Sequence, residues 1–410
     1  MPTFSLTYSL PYLIFFLYLI ILMFFEFRNI NNEKDTKYIQ WATIAGFIFF
    51  FGLRGYIFTD WLVYNPLFEK IPTFWEGGQI GSLNIDIAEN FGTDVSIGKN
   101  GIEFGFIYFT MLFKSIIPNY FAWVFFNTII DILLLNIFIK RYSKYYVLGF
   151  ICFFVFEGIG IEANLMRNVK AILLFLVSIK YLEERRILPY MSLNFVGFLF
   201  HTSAIIFFPL YFFLHKEWPQ KIIWGIFIAG IIIFLLQITY LAPVLNFIGN
   251  KIGGRISVLI HLYLNSDLYS RSFGLFHFGY LERVFTFCII MSFQKQLKEQ
   301  STHNIIFLNA YVIYFIIYFF FSEIRVVIER VPMLFVFGNW VLYPNLLALI
   351  KTNINKTLFL VVFILFSSAK LIKSNSNVLA KYDNLLFGID NYEIRDERVI
   401  NNGNEIQGNQ

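Results

Sequence analysis

Long apolar runs without a single charged residue recur along this chain of 410 residues. Clear examples cover residues 10–25, 41–51, 222–236, 305–321 and 358–366. A helix needs about 20 apolar residues to cross the ~30 Å hydrocarbon core of a bilayer, and runs of this kind mark such helices. Only 14% of the residues are charged, whereas soluble domains carry about 25%. The sequence therefore predicts an all-α polytopic integral membrane protein.

Hydropathy indicates ten candidate crossings along the chain. They lie at residues 8–28, 39–57, 120–140, 145–162, 166–183, 221–241, 277–294, 304–322, 331–350 and 356–372.

Two further apolar segments need separate treatment. Residues 103–117 would be ~22 Å long as a helix, which is short for the bilayer core, and Glu103 and Lys114 fall on one face of it. A short helix with a polar stripe is expected to lie in the plane of the interface. Residues 188–214 contain a polar triplet at 201–203, where the chain is expected to turn back as a hairpin. The prediction is therefore about ten to twelve crossings plus one in-plane helix.

Basic residues in the short loops decide the orientation. If both special segments adopt these arrangements, fifteen Lys or Arg fall in the loops of one side and three in the short connections of the other. The basic side is expected to face the cytoplasm, so both termini and the long loops 58–100 and 242–276 lie outside. Residues 1–373 then form a single multi-pass membrane domain, and the Asn-rich segment 374–410 is expected to be a poorly ordered polar tail.

Charge and cysteine content exclude several functional classes. The net charge of +5 comes from short loops between apolar segments, so it encodes topology and does not indicate nucleic-acid binding. Cys152 and Cys288 both lie in apolar runs, so neither a disulfide framework nor a cysteine-ligated zinc site is expected. No cluster of residues demands a metal, and no cofactor is indicated.

Ionisable residues gather where helices are expected to reach the outer face. Arg54, Arg167 and Arg330 lie at such helix ends, and Asp60 and Glu103 lie where the chain re-enters the membrane. Guanidinium groups suit phosphate oxygens, and nearby carboxylates can deprotonate a hydroxyl. The simpler interpretation is that each arginine is an interfacial anchor or a topology determinant.

Two other features are open to alternative interpretations. The loop at 242–276 is basic and contains Arg255, which makes it a second source of cations for an outer cleft. His201 can act as an acid–base group, or it can simply cap the hairpin through the hydroxyls of its neighbours. The six acids of loop 58–100 are expected to be mainly solvated surface.

A spaced series of short motifs covers about residues 50–350. In chain order it consists of Arg54-Gly55 with Thr59-Asp60 and Tyr64; Glu103-Phe104-Gly105-Phe106; Lys140-Arg141-Tyr142-Ser143-Lys144; Met166-Arg167-Asn168; Phe200-His201-Thr202-Ser203-Ala204 with Pro209-Leu210; and Gly279-Tyr280-Leu281-Glu282 with Arg330. The series resembles the EpsG/Wzy-like family of bacterial polysaccharide polymerases. Phe104 departs from the family's Pro and Asn168 from its Gln. The predicted architecture is also similar to that of the GT-C glycosyltransferases.

The resemblance implies a polymerase on the outer face of the bacterial cytoplasmic membrane, in O-antigen, exopolysaccharide or capsule biosynthesis. It would transfer a growing glycan from undecaprenyl pyrophosphate to an incoming lipid-linked oligosaccharide repeat unit. Such chemistry needs cations for the departing pyrophosphate and a carboxylate base. The expected residues are Arg54, Arg167, Arg330 and Arg255 for the pyrophosphate, Asp60 or Glu103 as base, and His201 as a positioning or secondary acid–base group.

The implied partners are the lipid-linked donor and acceptor, the bilayer, a flippase and a chain-length regulator. Three alternatives stay open. A related enzyme would ligate finished glycan to a different acceptor. A transporter or flippase would move the same lipid-linked sugars, although it needs charges along a central cavity. An acyltransferase centred on His201 is the third.

Overall fold

The structure is a computed structural model that describes residues 2–29, 32–76, 84–85, 95–96, 102–253, 260 and 278–409. It divides into two units, one of residues 1–212 and 351–410 and one of residues 213–350. Apart from the two-residue strands β1 (Asn84–Ile85) and β2 (Val95–Ser96), the regular elements of the described residues are helical.

The α-helices follow one another along the whole described chain. They are α1 (Leu10–Arg28), α2 (Glu33–Phe47), α3 (Trp61–Lys70), α4 (Phe104–Lys114), α5 (Tyr120–Tyr142), α6 (Tyr146–Phe153), α7 (Ile159–Ala163), α8 (Asn168–Glu183), α9 (Ile187–Phe200) and α10 (Phe207–Phe213), then α11 (Gln220–Leu235), α12 (Leu241–Ile252), α13 (Phe278–Ser292), α14 (Gln294–Gln300), α15 (Asn304–Phe320), α16 (Arg325–Arg330) and α17 (Phe337–Leu349) in the second unit, and finally α18 (Asn353–Asn375) and α19 (Tyr392–Asn409).

Four described helices are long and apolar enough to cross a membrane, at Leu6–Arg28, Tyr120–Tyr142, Tyr146–Ala163 and Asn353–Asn375. A fifth candidate is the pair Val327–Leu334 and Phe337–Leu349, bent by 57°. The all-helical membrane fold is thus confirmed. Several other predicted crossings are shorter helices of 10–17 residues, because breaks and turns interrupt the apolar runs. The count of about ten to twelve crossings stays a prediction.

A buried carboxylate joins α1 to α6 in the first unit. Glu26, in the last turn of α1, accepts hydrogen bonds from the backbone N–H groups of Tyr146 (2.7 Å) and Val147 (3.0 Å). These are first-turn N–H groups of α6, which have no partner inside their own helix. The contact brings the end of α1 and the start of α6 to the same end of the first unit, as the charge distribution predicts.

Helices α8, α9 and α10 pack through complementary polar and aromatic contacts. Asn194 donates to the hydroxyl of Ser178 at 3.0 Å, which ties α9 to α8. The backbone is extended at His201, and a 3₁₀ turn at Thr202–Ile206 leads into α10. The Tyr190 hydroxyl then donates to the carbonyl of Phe207 at 2.6 Å. Helix α10 therefore runs back along α9, and the polar triplet lies at the turn.

Helix α4 contacts the end of α3 through Lys114. The ammonium group of Lys114 donates to three backbone carbonyls at the end of α3, those of Phe68, Glu69 and Ile71, each at 2.8 Å. These carbonyls have no partner inside α3, and a cation there also complements the helix dipole. On the other face of α4, side chains such as Tyr108 are exposed.

The second unit is built around α15 and its amide side chains. Asn309, buried within α15, donates to the carbonyls of Leu214 (2.8 Å) and Lys216 (2.7 Å). Asn345 of α17 donates to the side-chain oxygen of Asn304 at 2.8 Å. Buried amides that find partners in this way hold the apolar helices in one register.

The segment after α18, for which the sequence predicts a poorly ordered tail, makes several backbone hydrogen bonds with the N-terminal part of the same unit. The N–H of Gly55 donates to Asp383 O, and the N–H of Leu385 donates to Leu53 O, both at 2.8 Å. Val399 of α19 is buried in the core cluster that also contains Trp61 of α3. These hydrogen bonds join backbone groups, and an Asn-rich composition does not reveal them.

Candidate functional site

An ion pair between two motif residues forms the centre of the candidate site. Arg167, the residue before α8, donates through Nη1 to Oε2 of Glu103 at 2.7 Å, and both side chains are largely buried. Oε1 of Glu103 accepts from the backbone N–H of Thr202 at 2.9 Å. The Arg167 guanidinium also lies 6.0 Å from the ring centroid of Tyr64. Four elements of the motif series therefore meet here.

The turn at the hairpin is closed by His201 and Ser203. Nδ1 of His201 lies 2.8 Å from Ser203 Oγ and accepts from the Ser203 backbone N–H at 3.2 Å. Ser203 Oγ donates to the side-chain oxygen of Asn168 at 2.7 Å. The capping interpretation of His201 therefore accounts for its Nδ1, and Asn168 fixes the turn to the start of α8.

A close approach of two backbones brings Glu103 to this turn. A Cβ atom added to Gly105 would lie 2.5 Å from the carbonyl oxygen of Leu199 and 2.7 Å from its Cβ. Only glycine permits this distance without a shift of α4 or α9. The glycine of the Glu103–Phe106 motif is thus a condition for the contact between Glu103 and Thr202.

The second candidate carboxylate, Asp60, lies in the turn before α3. Its backbone N–H donates to Oδ1 of Asn164 at 2.9 Å, and the N–H of Thr59 donates to the same atom at 3.3 Å. The half-buried Asp60 carboxylate is within electrostatic range of Arg167 and Tyr64. The turn before α3 is thus anchored to the α7–α8 connection.

Arg54 occupies a different environment, inside the first unit. Only 4% of the residue is exposed. Its Nη1 donates to Phe51 O at 2.5 Å and to Thr128 Oγ1 at 3.2 Å, and its Nη2 donates to Glu162 O at 3.1 Å. Thr128 in turn donates to Glu162 Oε1 at 3.0 Å. The guanidinium therefore joins the segment that follows α2 to α5 and α7, and it is almost completely buried.

Sequence reasoning missed a buried ion pair one turn from Arg167. Lys170 of α8 donates to Asp131 of α5 at 2.5 Å, and both side chains are almost completely buried. Asp131 Oδ1 and Glu162 Oε2 are buried without a hydrogen-bond partner. The available signal was an acid in the middle of an apolar crossing, because charged residues inside membrane segments are rare and usually functional.

Two predicted cations remain, Arg330 and Arg255. Arg330 ends α16 in the second unit, where its side chain is exposed. Arg255 lies outside the described residues. Within the described ranges, no three His, Cys, Asp or Glu side chains are grouped closely enough to hold a metal ion.

Fold and site together define a class: a helical membrane protein whose candidate site holds an arginine, two carboxylates and a histidine at helix ends. The chain belongs to the EpsG family, which matches residues 37–386 and thus includes every motif of the series. This confirms the resemblance and indicates a polysaccharide polymerase-type function with glycosyltransferase-like chemistry. No curated protein and no solved structure matches the chain.

Proposed function

We propose that the protein polymerises lipid-linked oligosaccharide repeat units on the outer face of the bacterial cytoplasmic membrane. The donor is a growing glycan on undecaprenyl pyrophosphate, and the acceptor is an incoming lipid-linked unit. The observation that supports this proposal is the cluster of Arg167, Glu103 and Thr202, because it unites three motifs of the family around one guanidinium.

In the proposed reaction an acceptor hydroxyl attacks the anomeric carbon of the donor. A C–O bond forms to the acceptor, the C–O bond to the pyrophosphate breaks, and the hydroxyl proton moves to a carboxylate base. Arg167 stabilises the negative charge that develops on the leaving pyrophosphate. Its side chain is partly exposed, at 18%, so a ligand can reach it.

Asp60 is the better candidate for the base. Both oxygens of Glu103 already accept hydrogen bonds, from Arg167 and from Thr202, which suits a residue that positions the guanidinium. Asp60 lies close enough to Arg167 to share its electrostatic field while its backbone is held by Asn164. We therefore assign proton abstraction to Asp60 and positioning to Glu103.

The other predicted residues receive supporting roles. His201 positions the hairpin turn through Nδ1. Arg54 holds helix ends together from a buried position, so we reassign it from pyrophosphate binding to support. Arg330 and Arg255 remain proposed pyrophosphate ligands. A GT-C-like architecture with an in-plane α4, and partnership with a flippase and a chain-length regulator, complete the proposal.

One observation favours a second candidate function. A flippase needs charged groups deep in the membrane, and Asp131 and Lys170 are such groups in the first unit. Their 2.5 Å contact pairs them with each other, which suits a support for α8 better than a transport path.

The intermediates that accumulate in a deletion strain distinguish these functions. Without a polymerase, cells display single repeat units outside but no longer chains. Without a flippase, repeat units accumulate on the cytoplasmic lipid and none reach the surface, and without a ligase, long chains remain on undecaprenyl pyrophosphate. Surface display of single units, reversed by the wild-type gene, is the expected result. Retention of units on the cytoplasmic leaflet would contradict it.

A further inference from the structure

A cavity of about 650 Å³ lies between the ends of α5 and α8, away from the candidate site. Its polar lining includes the cations Lys140, Arg141 and Lys180, and its apolar lining includes Ile137 and Val177. The loops at this end of the first unit are those that the charge count assigns to the cytoplasm.

The charges around the cavity are unequally compensated. Arg141 Nη2 contacts Glu183 at 3.1 Å, and Lys180 Nζ lies 3.9 Å from Glu184. Among the described residues, Lys140 makes no hydrogen bond or ion pair. Glu184 also lies 3.5 Å from Nη1 of Arg186, so the cations at this end of the unit outnumber the carboxylates. This surplus of positive charge suits the anionic group of a phosphodiester.

The guanidinium of Arg141 is already oriented. Its Nε donates to the hydroxyl of Tyr142 at 3.1 Å, and that hydroxyl donates to Glu183 Oε2 at 3.1 Å. A cation held by two neighbours loses little conformational entropy when it binds a ligand, and its remaining N–H groups can meet phosphate oxygens.

The apolar side of the cavity faces the surrounding surface. Ile137, which lines the cavity, is 53% exposed, and Leu133, one turn earlier on α5, is 40% exposed. A ligand with a charged head in the cavity can therefore extend an apolar chain along α5. A positive-inside loop explains basic residues, but it does not explain a cavity that combines them with an apolar exit.

We propose that this cavity binds the headgroup of an anionic phospholipid, with the phosphodiester beside Lys140 and Arg141. Basic pockets between membrane helices on the cytoplasmic side are suited to such headgroups. The occupant is a structural lipid of the cytoplasmic leaflet, and the site is separate from the residues assigned to catalysis.

Native mass spectrometry of the purified full-length protein tests the proposal, with phosphatidylglycerol and phosphatidylcholine as probes. The informative variants are Lys140→Gln and the double variant Lys140→Gln/Lys180→Gln. Lys351→Gln is the matched control, because Lys351 is exposed in the same unit and does not line this cavity. We expect about fivefold weaker phosphatidylglycerol binding for each lysine removed, and wild-type binding for the control.

Three results would overturn the proposal. One is wild-type phosphatidylglycerol binding by both cavity variants, and another is equal binding of the two lipids by the wild type. The third concerns the unfolding temperature of the wild type. If inorganic phosphate alone raises it as much as phosphatidylglycerol does, the occupant is a free anion. A gel-filtration profile identical to that of the wild type shows that a variant is folded. If the double variant does not fold, the test relies on Lys140→Gln alone.

Discussion

Arg167 is held by its surroundings before any substrate arrives. Glu103 fixes one end of its guanidinium, and Glu103 is itself fixed by the backbone of Thr202. A group oriented in this way stabilises developing charge without having to reorganise during the reaction. The role that we propose for Arg167 therefore depends on the planar fork as well as on its charge.

The first prediction separates these two properties. Arg167→Lys keeps the charge but loses the fork, and loss of a hydrogen bond to a charged group costs about 1.5–3 kcal/mol. We expect polymerisation to slow about 10- to 100-fold at normal protein level, measured as chain length over time. Arg28→Lys, at the exposed end of α1, should behave as wild type. Wild-type chain length from Arg167→Lys would reduce Arg167 to a topology determinant.

Gly105 is the residue that permits this arrangement. Gly105→Ala would place a methyl group 2.5 Å from Leu199 O, so α4 must move away from the hairpin. Overpacking of this kind costs about 1–3 kcal/mol. We expect a lower unfolding temperature together with lower polymerase activity. The matched control is Gly160→Ala, because a Cβ there meets no atom within 4 Å. Equal unfolding temperatures for the two variants would contradict the close approach of α4 and α9.

At the scale of elements, the C-terminal segment stabilises the turn that carries Asp60. Residues 383–385 hydrogen-bond to the backbone on either side of Arg54, and Tyr392 packs against Trp61 with ring centroids 5.1 Å apart. Ion pairs of Asp390 with Lys381, Arg395 and Arg398 stabilise the segment. Its docking therefore contributes to the geometry of the turn before α3.

Acidification should release this segment at low pH. Burial acts to raise the pKa of Asp390, but hydrogen bonds from Arg398 and Lys381 outweigh it and hold the pKa well below its ordinary value. The carboxylate therefore stabilises docking above its unfolded pKa of about 3.9, and this stabilisation is lost as the pH falls through the folded pKa.

Hydrogen exchange in residues 392–402, corrected for intrinsic rates, measures this release. In the wild type we expect the protection of these amides from exchange to be constant down to about pH 4 and to decline below it. Asp390→Asn should already be less protected at neutral pH and should change little across the same range. Identical profiles for the wild type and Asp390→Asn would show that the ion pairs do not fasten the segment.

At the scale of the whole molecule, orientation is the prediction on which the proposed site depends. Single cysteines replacing Glu76 or Lys351, both exposed, test it in a chain without Cys152 and Cys288. In intact spheroplasts an impermeant maleimide should label the first position and not the second. The reverse pattern would place Asp60 and Arg167 on the cytoplasmic side.

Much of the fold could be predicted from the sequence because apolar periodicity and uncharged runs directly specify membrane helices. The motif series also predicted candidate site residues, and the structure places four of them in one unit. These are Asp60, Glu103, Arg167 and His201. Their contacts could not be predicted, since the approach of α4 to α9 depends on tertiary packing at Gly105.

Two features of the structure could not be predicted from the sequence, each for a physical reason. The pairing of Asp131 with Lys170 joins helices that are distant in sequence, so neither residue alone reveals its partner. The C-terminal segment is polar in composition, yet it contacts residues 53–55 through backbone hydrogen bonds, which do not depend on the identity of the side chain. Arg54 shows the opposite case. The sequence predicts a pyrophosphate ligand, but the side chain is buried and donates hydrogen bonds to protein carbonyls.

The most direct test of the central claim uses purified protein, detergent and synthetic undecaprenyl-pyrophosphate-linked repeat units. A ladder of longer products can arise only from glycosyl transfer. We expect the wild type to produce the ladder and Asp60→Asn to abolish it while still binding the donor, because the amide keeps size and polarity but not basicity. Glu103→Gln should retain a slower ladder, as expected for a positioning residue. Failure of the wild-type protein to form any ladder, together with movement of labelled lipid-linked sugar across vesicles, would contradict the account.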